Sequence, residues 1–293
     1  MNATPSAPLP PLLAVAAEAA GIGDLAHKVA RRERLELADG QRLFAAPPAI
    51  VGALANLVRE RLHGDHAWFN RNQHINATNV CEATCMFCSF SRLKTGDPAA
   101  YTMTLDAAVS RLKALRGELV TEIHIVNGLN PDLPFRYYTD LLRALKAERP
   151  DLHIKGFTAV EIHYYAHKYG MTYEGVLTAL REAGLDSLPG GGAEIFHPRV
   201  RQKICDDKVD ADGWLEVHRV AHGMGMRSNC TMLFGMIETV DERLDHLLRL
   251  RALQDETGGF QTFIPLKFHN EHNRLAGLYE ATAVEVLQTY AVS

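Results

Sequence analysis

Little in this sequence points to a membrane, a nucleic acid or an oxidising compartment. Its 293 residues carry 31 Lys and Arg against 35 Asp and Glu, a formal net charge of -4. No run of five or more basic residues occurs, so the electrostatic footprint of a nucleic-acid or anionic-lipid binder is missing and a small-molecule substrate is expected. No apolar stretch approaches the roughly 18 residues a membrane span needs. The opening stretch 1–20 is rich in Ala, Pro and Leu, but it has no basic segment and contains Glu18, which argues against a secretory signal. There are only 5 cysteines, three of them in the stretch 81–88. That distribution excludes a disulfide framework and suits a metal site in a reducing compartment, so a cytoplasmic protein is expected. Internal repeats and Pro/Gly-rich linkers are also missing, which leaves a second independent domain without support.

What is present is ordinary globular composition, 47% hydrophobic and 23% charged, enough to bury the core of an α/β barrel. Residues 1–65 read as an N-terminal helical extension: 24–35 and 48–62 show apolar residues at helical spacing, with Asp39-Gly40 as a turn signal between them. They are expected to cover one end of a barrel formed by 66–293. From His74 onward short apolar runs alternate with helical patterns. Strands are expected at 74–80, 122–126, 153–157, 185–188, 228–234 and 261–266, and helices at 104–115, 135–147, 173–183, 211–222 and 241–254. This is a parallel βα barrel with its chemistry at the carboxyl ends of the strands. Eight strands would close it. The sequence ends within an apolar, helix-like run from Ala281, so the expectation is a partial barrel, either open at six strands or with its C-terminal part missing.

The chemistry concentrates in Cys81-Glu-Ala-Thr-Cys85-Met-Phe-Cys88, directly after the first expected strand. Thiolates are the normal ligands of iron-sulfur clusters; three on one loop with no evident fourth leave one iron of a [4Fe-4S] cluster free to bind something else. A structural zinc ion is the alternative. It would need a fourth ligand such as His74, Cys205 or Cys230, and it usually presents paired C-x-x-C knuckles rather than a lone triplet. Cys205 and Cys230 stand alone and read as buried small hydrophobes.

The Cys-x3-Cys-x2-Cys spacing, with Phe87 before the last cysteine, resembles the loop of the radical SAM superfamily. Five further segments resemble that superfamily's futalosine branch of menaquinone biosynthesis. They are HINATNV at 74–80, IHIVNGLNP at 123–131, FTAVEI at 157–162, LDSLPGGGAEIF at 185–196 and QDETGGF at 254–260. FTAVEI, Phe196 after the triple glycine, and FIPLKFH at 263–269 look like the aminofutalosine synthases rather than the futalosine cyclase. The resemblance implies a radical SAM partial TIM barrel holding a [4Fe-4S] cluster and S-adenosylmethionine, the latter as a co-substrate. It implies that a 5'-deoxyadenosyl radical adds to the enolpyruvyl ether of 3-hydroxybenzoate, with rearrangement and loss of bicarbonate. A low-potential electron donor such as flavodoxin or ferredoxin would be needed. A cyclase of the same subgroup, or an inactive iron-sulfur or zinc protein, are the other readings.

Site residues follow from both lines. Cys81, Cys85 and Cys88 are the expected metal ligands. Gly190, Gly191 and Gly192 follow a strand where missing side chains allow positive φ and close approach to a ligand, which favours cofactor contact. The resemblance adds Phe87, Asn127 and Gly128 to the cofactor set. Glu161, Glu194, Glu238 and His269 each fall just past an expected strand; Glu194 is assigned to the cofactor, Glu161 and His269 to catalysis. Arg92 and Lys267, with His269, are the groups expected to meet the two substrate carboxylates. The pairs His163/His167 and His218/His222 share a helix face at four-residue spacing, but lack the glutamate of a zinc-binding H-E-x-x-H and are expected on the surface.

Overall fold

Short β-branched runs bounded by turn residues and amphipathic segments opened by Thr or Asp caps dictate alternating strands and helices, and the chain folds that way. A computed structural model describes residues 9–293, so the start of the 1–20 stretch lies outside the described residues. Four helices come first: α1 (Pro11–Ala19), α2 (Gly23–Arg31), α3 (Leu37–Ala45) and α4 (Pro48–His63). The βα units follow: β1 (Asn72–His74), α5 (Leu105–Lys113), β2 (Glu122–Ile125), α6 (Phe135–Glu148), β3 (His153–Gly156), α7 (Ala159–Tyr169), α8 (Tyr173–Ala183) and β4 (Ser187–Leu188). Then come α9 (Pro198–Ile204), α10 (Ala211–Gly223), β5 (Arg227–Phe234), α11 (Val240–Thr257), β6 (Phe260–Lys267) and α12 (Ala283–Val292). The six strands pair in chain order, every pair parallel. The result is a partial barrel rather than a closed one.

Alternation along the strands sorts the two faces. Ile123, Ile125 and Ile154 are fully or almost fully buried and pack with Tyr138, Leu141, Leu142, Leu177 and Leu180 of the helices. Each such side chain contributes about 1.5–3 kcal/mol. The intervening residues Glu122, His124 and Lys155 turn to the concave face, where Lys155 Nζ lies 3.0 Å from the Glu122 carboxylate. Burial alone would raise the Glu122 pKa; hydrogen bonds from His124 and Lys155 outweigh it and hold the group at about 2.

One expectation for the N-terminal region is corrected. Asp39 and Gly40 are not a turn but part of α3. Asp39 is the third helical residue of a capping box and accepts from the Glu36 N–H at 2.9 Å, and a Cβ on Gly40 would lie 2.5 Å from Leu244 Cδ2. The glycine is there because α3 packs closely on α11. Beyond that helix, α3 lies against α11 and α12, and α4 against α12, around a separate apolar cluster that includes Leu25, Leu43, Val51 and Leu54. No helix among the described residues is long and apolar enough to cross a membrane.

Candidate active site

The segment expected as a first strand at 74–80 is ordered more by side chains than by a backbone ladder. Ile75 donates to the His124 carbonyl at 2.9 Å, but Ala77 N–H donates to Asn127 Oδ1 at 2.6 Å and Val126 N–H to Asn76 Oδ1 at 3.0 Å. Regular strand therefore stops at His74. Gly128 returns to the same segment, donating to the Thr78 carbonyl at 2.9 Å. A Cβ there would stand 2.2 Å from the Val80 carbonyl oxygen. Asn127 and Gly128 thus fix the stretch that delivers Cys81 to the top of the sheet.

The cysteine loop is tied down along its length. Cys81 N–H donates to the Arg92 carbonyl at 2.9 Å, Glu82 N–H to Leu129 at 3.0 Å and Met86 N–H to Ile204 at 2.8 Å. Thr84 N–H donates to the Asp207 carboxylate at 2.5 Å, and the Arg274 guanidinium donates to the Thr84 carbonyl. Cys88 Sγ accepts from Ser91 N–H at 3.4 Å. All 5 cysteines are free thiols; Cys81 is buried, Cys85 and Cys88 partly so. Burial pushes the Cys81 thiol up and the Cys85 thiol up to about 12. As bare groups they resist ionisation; as ligands of a metal group they would be thiolates, so the pocket fits a group that supplies the missing positive charge. Among the described residues no three His, Cys, Asp or Glu side chains gather closely enough for one metal ion. His74, a possible zinc partner, lies instead with its ring 5.2 Å from that of His124.

The Gly190–Gly192 stretch has protein neighbours that account for each glycine. A Cβ on Gly190 would lie 2.6 Å from the Cys230 backbone, and one on Gly192, which has φ +89, would lie 2.2 Å from Val160 Cγ2. Gly191 accepts from Trp214 Nε1 at 3.1 Å and faces Thr158 Cγ2 at 3.2 Å from its would-be Cβ. Glu194 follows in the left-handed region at φ 47, and its carboxylate meets Lys208 Nζ at 2.6 Å. That ammonium is 5.2 Å from the centre of the Phe87 ring. Burial works against the Lys208 charge, but Glu194 and the thiols Cys85 and Cys205 more than offset it and raise its pKa.

Other expected residues lie as follows. Glu161 is buried; it accepts from Thr158 N–H at 2.8 Å and from Asn127 N–H at 3.1 Å. Burial raises it to about 7 against those hydrogen bonds. Its carboxylate braces the Asn127 turn from the start of α7. The Arg92 guanidinium donates to the carbonyls of Ser89 and Ser91 at 3.0 and 2.9 Å. Lys267 Nζ meets Glu280 at 2.6 Å, and the exposed His269 ring stands 3.9 Å from the same carboxylate. Glu238 accepts from Gly235 and Met236 N–H at 2.5 and 2.9 Å and is used up in the β5–α11 turn. His218 and His222 are not on the surface, as their spacing had implied: the His218 side chain is wholly buried, and both rings meet Ser228 Oγ at 2.8 Å. Apolar Trp214 and Phe260 flank His218, which is why the pair belongs to the core.

A thiol loop above the first strand of a parallel partial barrel is the feature to compare with known proteins. The family model described as the Radical SAM superfamily matches residues 75–250, more than half of the chain. The chain belongs to the radical SAM superfamily. Two relatives of this radical SAM protein are aminodeoxyfutalosine synthases. The one from Streptomyces coelicolor is 49% identical over 281 residues, 92% of this chain and 72% of the relative. The one from Thermus thermophilus is 48% identical over 254 residues, 86% and 68% of the two chains. Among solved structures, the FeFe-hydrogenase maturase HydG from Carboxydothermus hydrogenoformans superposes with a TM-score of 0.73 at 20% identity. The chain spans 96% of itself and 66% of that maturase, a likeness of fold. Family membership carries two cofactors, a [4Fe-4S] cluster and S-adenosylmethionine.

Three residues of this radical SAM protein's site were not anticipated: Asp207, Lys208 and Arg274. They lie 123, 124 and 190 residues beyond Thr84, and the stretch DDKVDAD at 206–212 carries no local pattern that separates one structural charge from its neighbours.

Proposed function

We propose that this chain is an aminodeoxyfutalosine synthase acting in the cytoplasm. In that reaction the 5'-deoxyadenosyl group of S-adenosylmethionine is joined to 3-[(1-carboxyvinyl)oxy]benzoate, with rearrangement and loss of bicarbonate. The observation that carries the reading is the match of 49% over 92% of the chain to a relative of that name, spanning the cysteine loop and all six strands.

The bound cluster and S-adenosylmethionine would together supply the carbon radical, and the rest falls to the protein's own residues. Cys81, Cys85 and Cys88 would hold three corners of the cluster. Asn127, Gly128 and Glu161 act as positioning residues: they set the segment from Ala77 to Cys81 against β2 and so fix the height of the loop over the sheet. Phe87, the Gly190–Gly192 turn and Glu194 would border the co-substrate. A primary radical reacts with whatever lies nearest, so the barrel must hold the vinyl carbon close and keep water away. Lys267 and His269, which share Glu280 at the end of β6, and Arg92 are the cations offered to the substrate carboxylates. Arg92 would first have to release the loop carbonyls. His269 remains the candidate acid or base. A low-potential electron carrier such as flavodoxin or ferredoxin would complete the system.

The test is anaerobic reconstitution with iron and sulfide, then incubation with S-adenosylmethionine, dithionite and the enolpyruvyl ether, with nucleosides followed by mass spectrometry. An adenosine moiety coupled to the benzoate is the expected product. Release of 5'-deoxyadenosine alone, from a loaded enzyme, would overturn the synthase assignment in favour of a hydrogen-abstracting reaction.

A further inference from the structure

The buried cation beside the cysteine loop has no part in the mechanism above. Lys208 sits in the connector between α9 and α10, its side chain 7% exposed. The connector is fastened to the loop by the Thr84 N–H to Asp207 bond of 2.5 Å and, through the end of α9, by the Met86 N–H to Ile204 bond of 2.8 Å. The ammonium lies 5.2 Å from the centre of the ring of Phe87, which is flanked in sequence by Cys85-Met86 and Cys88. Burying an ion pair where apolar side chains would pack equally well gains little stability. The other cations of this region are committed elsewhere and less buried: Arg92 to the carbonyls of Ser89 and Ser91, and exposed Arg274 to that of Thr84.

We propose that Lys208 acts through its fixed charge on the cluster, raising its reduction potential, while Glu194 holds the ammonium in place and moderates the effect. The inference rests on Cys81, Cys85 and Cys88 being the cluster's ligands. The step involved is the transfer of one electron from an external low-potential donor to the cluster, with no bond made or broken and no proton taken up. Each added electron increases the negative charge already present on three thiolates. A cation held a few ångströms from the loop, away from water, favours the reduced state, since a medium of effective dielectric near 20 screens it about four times less than water. The sign depends on which member of the pair faces the thiols. The member that lies over the Phe87 ring of the loop is the ammonium, 5.2 Å from the ring centre, with the Glu194 carboxylate bonded to it at 2.6 Å. The pair therefore turns its positive end to the loop.

The experiment is a redox titration of the reconstituted enzyme without S-adenosylmethionine, followed by the EPR signal of the reduced cluster, after iron and sulfide have been counted. At the potential where the wild type is half reduced, Lys208→Met should lower the ratio of reduced to oxidised cluster about tenfold, a shift of about 59 mV for one electron. Glu194→Gln should move the ratio the other way, and Lys208→Arg should stay near wild type. An unchanged midpoint in loaded Lys208→Met, or shifts of the same sign in Lys208→Met and Glu194→Gln, would overturn the proposal. If Lys208→Met takes up no cluster, Glu194→Gln decides: an upward shift supports the role, and any other result removes it. Failure of the underlying reading would show separately, as Cys81→Ser retaining its full iron and sulfide.

Discussion

Substituting Gly128 by alanine tests how tightly the cysteine loop is seated. The new methyl would lie 2.2 Å from the Val80 carbonyl oxygen and 2.8 Å from its carbon. Ordinary contact begins near 3.4 Å, so one of two backbone segments must retreat by about 1 Å. Overpacking of this kind costs about 1–3 kcal/mol. The retreat also strains the bonds that hold the segment, Gly128 N–H to Thr78 at 2.9 Å and Ala77 N–H to Asn127 at 2.6 Å, each contributing about 1 kcal/mol net. A loss of roughly 3 kcal/mol is expected, together with a lower iron content after reconstitution, because the displaced segment leads into Cys81. Urea unfolding followed by circular dichroism reads the first effect and iron analysis the second. Gly52→Ala is the control: it lies in α4 with no atom within 4 Å of its would-be Cβ and should raise stability by up to about 1 kcal/mol through helix propensity. A Gly128→Ala protein that unfolds at the wild-type urea concentration and binds full iron would refute the reasoning.

Single serine substitutions at Cys81, Cys85 and Cys88 should each abolish or sharply reduce the bound iron and its visible absorption, while Cys205→Ser and Cys230→Ser keep both; loss on changing Cys205 would make it a ligand. Acid should destabilise the fold from pH 6.5 downward. From an ordinary value of 6.5, burial lowers His246 to about 3 and His222 to about 4, and it holds His218 well below that ordinary value. The unfolded chain therefore takes up protons first and stability falls with pH until each folded pKa is reached, by about 1.4 kcal/mol per pH unit and group. Urea midpoints measured at pH 7.5 and 5.5 should differ clearly, and equal midpoints would show that these rings are not held neutral.

The parts of the fold legible in the sequence were those with a periodic apolar face and a cap. The expected helix 173–183 is α8 to the residue, opened by Thr172 and closed by Gly184. Helix α7 was passed over because its run of Glu, Ile, His and Tyr lacks a clean apolar stripe, although Thr158 and Glu161 form a capping box that the sequence displays. Asp39-Gly40 misled because a glycine required by helix packing looks locally like one required by a turn. The three cysteines were legible because their ligand set is contiguous. Lys208 was not, since its meaning comes from residues 14 positions before it at Glu194 and still earlier at Phe87, a proximity created only by folding.

The Arg274 to Thr84 contact joins residues 190 positions apart, and Asp207 reaches the same loop from 123 positions away. During synthesis Cys81, Cys85 and Cys88 emerge well before the residues that shape their loop. Such distant pairings are slow to form. Iron and sulfide offered to the nascent chain would therefore meet three unguided thiols, and productive loading belongs to the stage after β6 and the Arg274 loop have joined the sheet. Recombinant preparations low in iron would then reflect the order of assembly as much as the supply of metal.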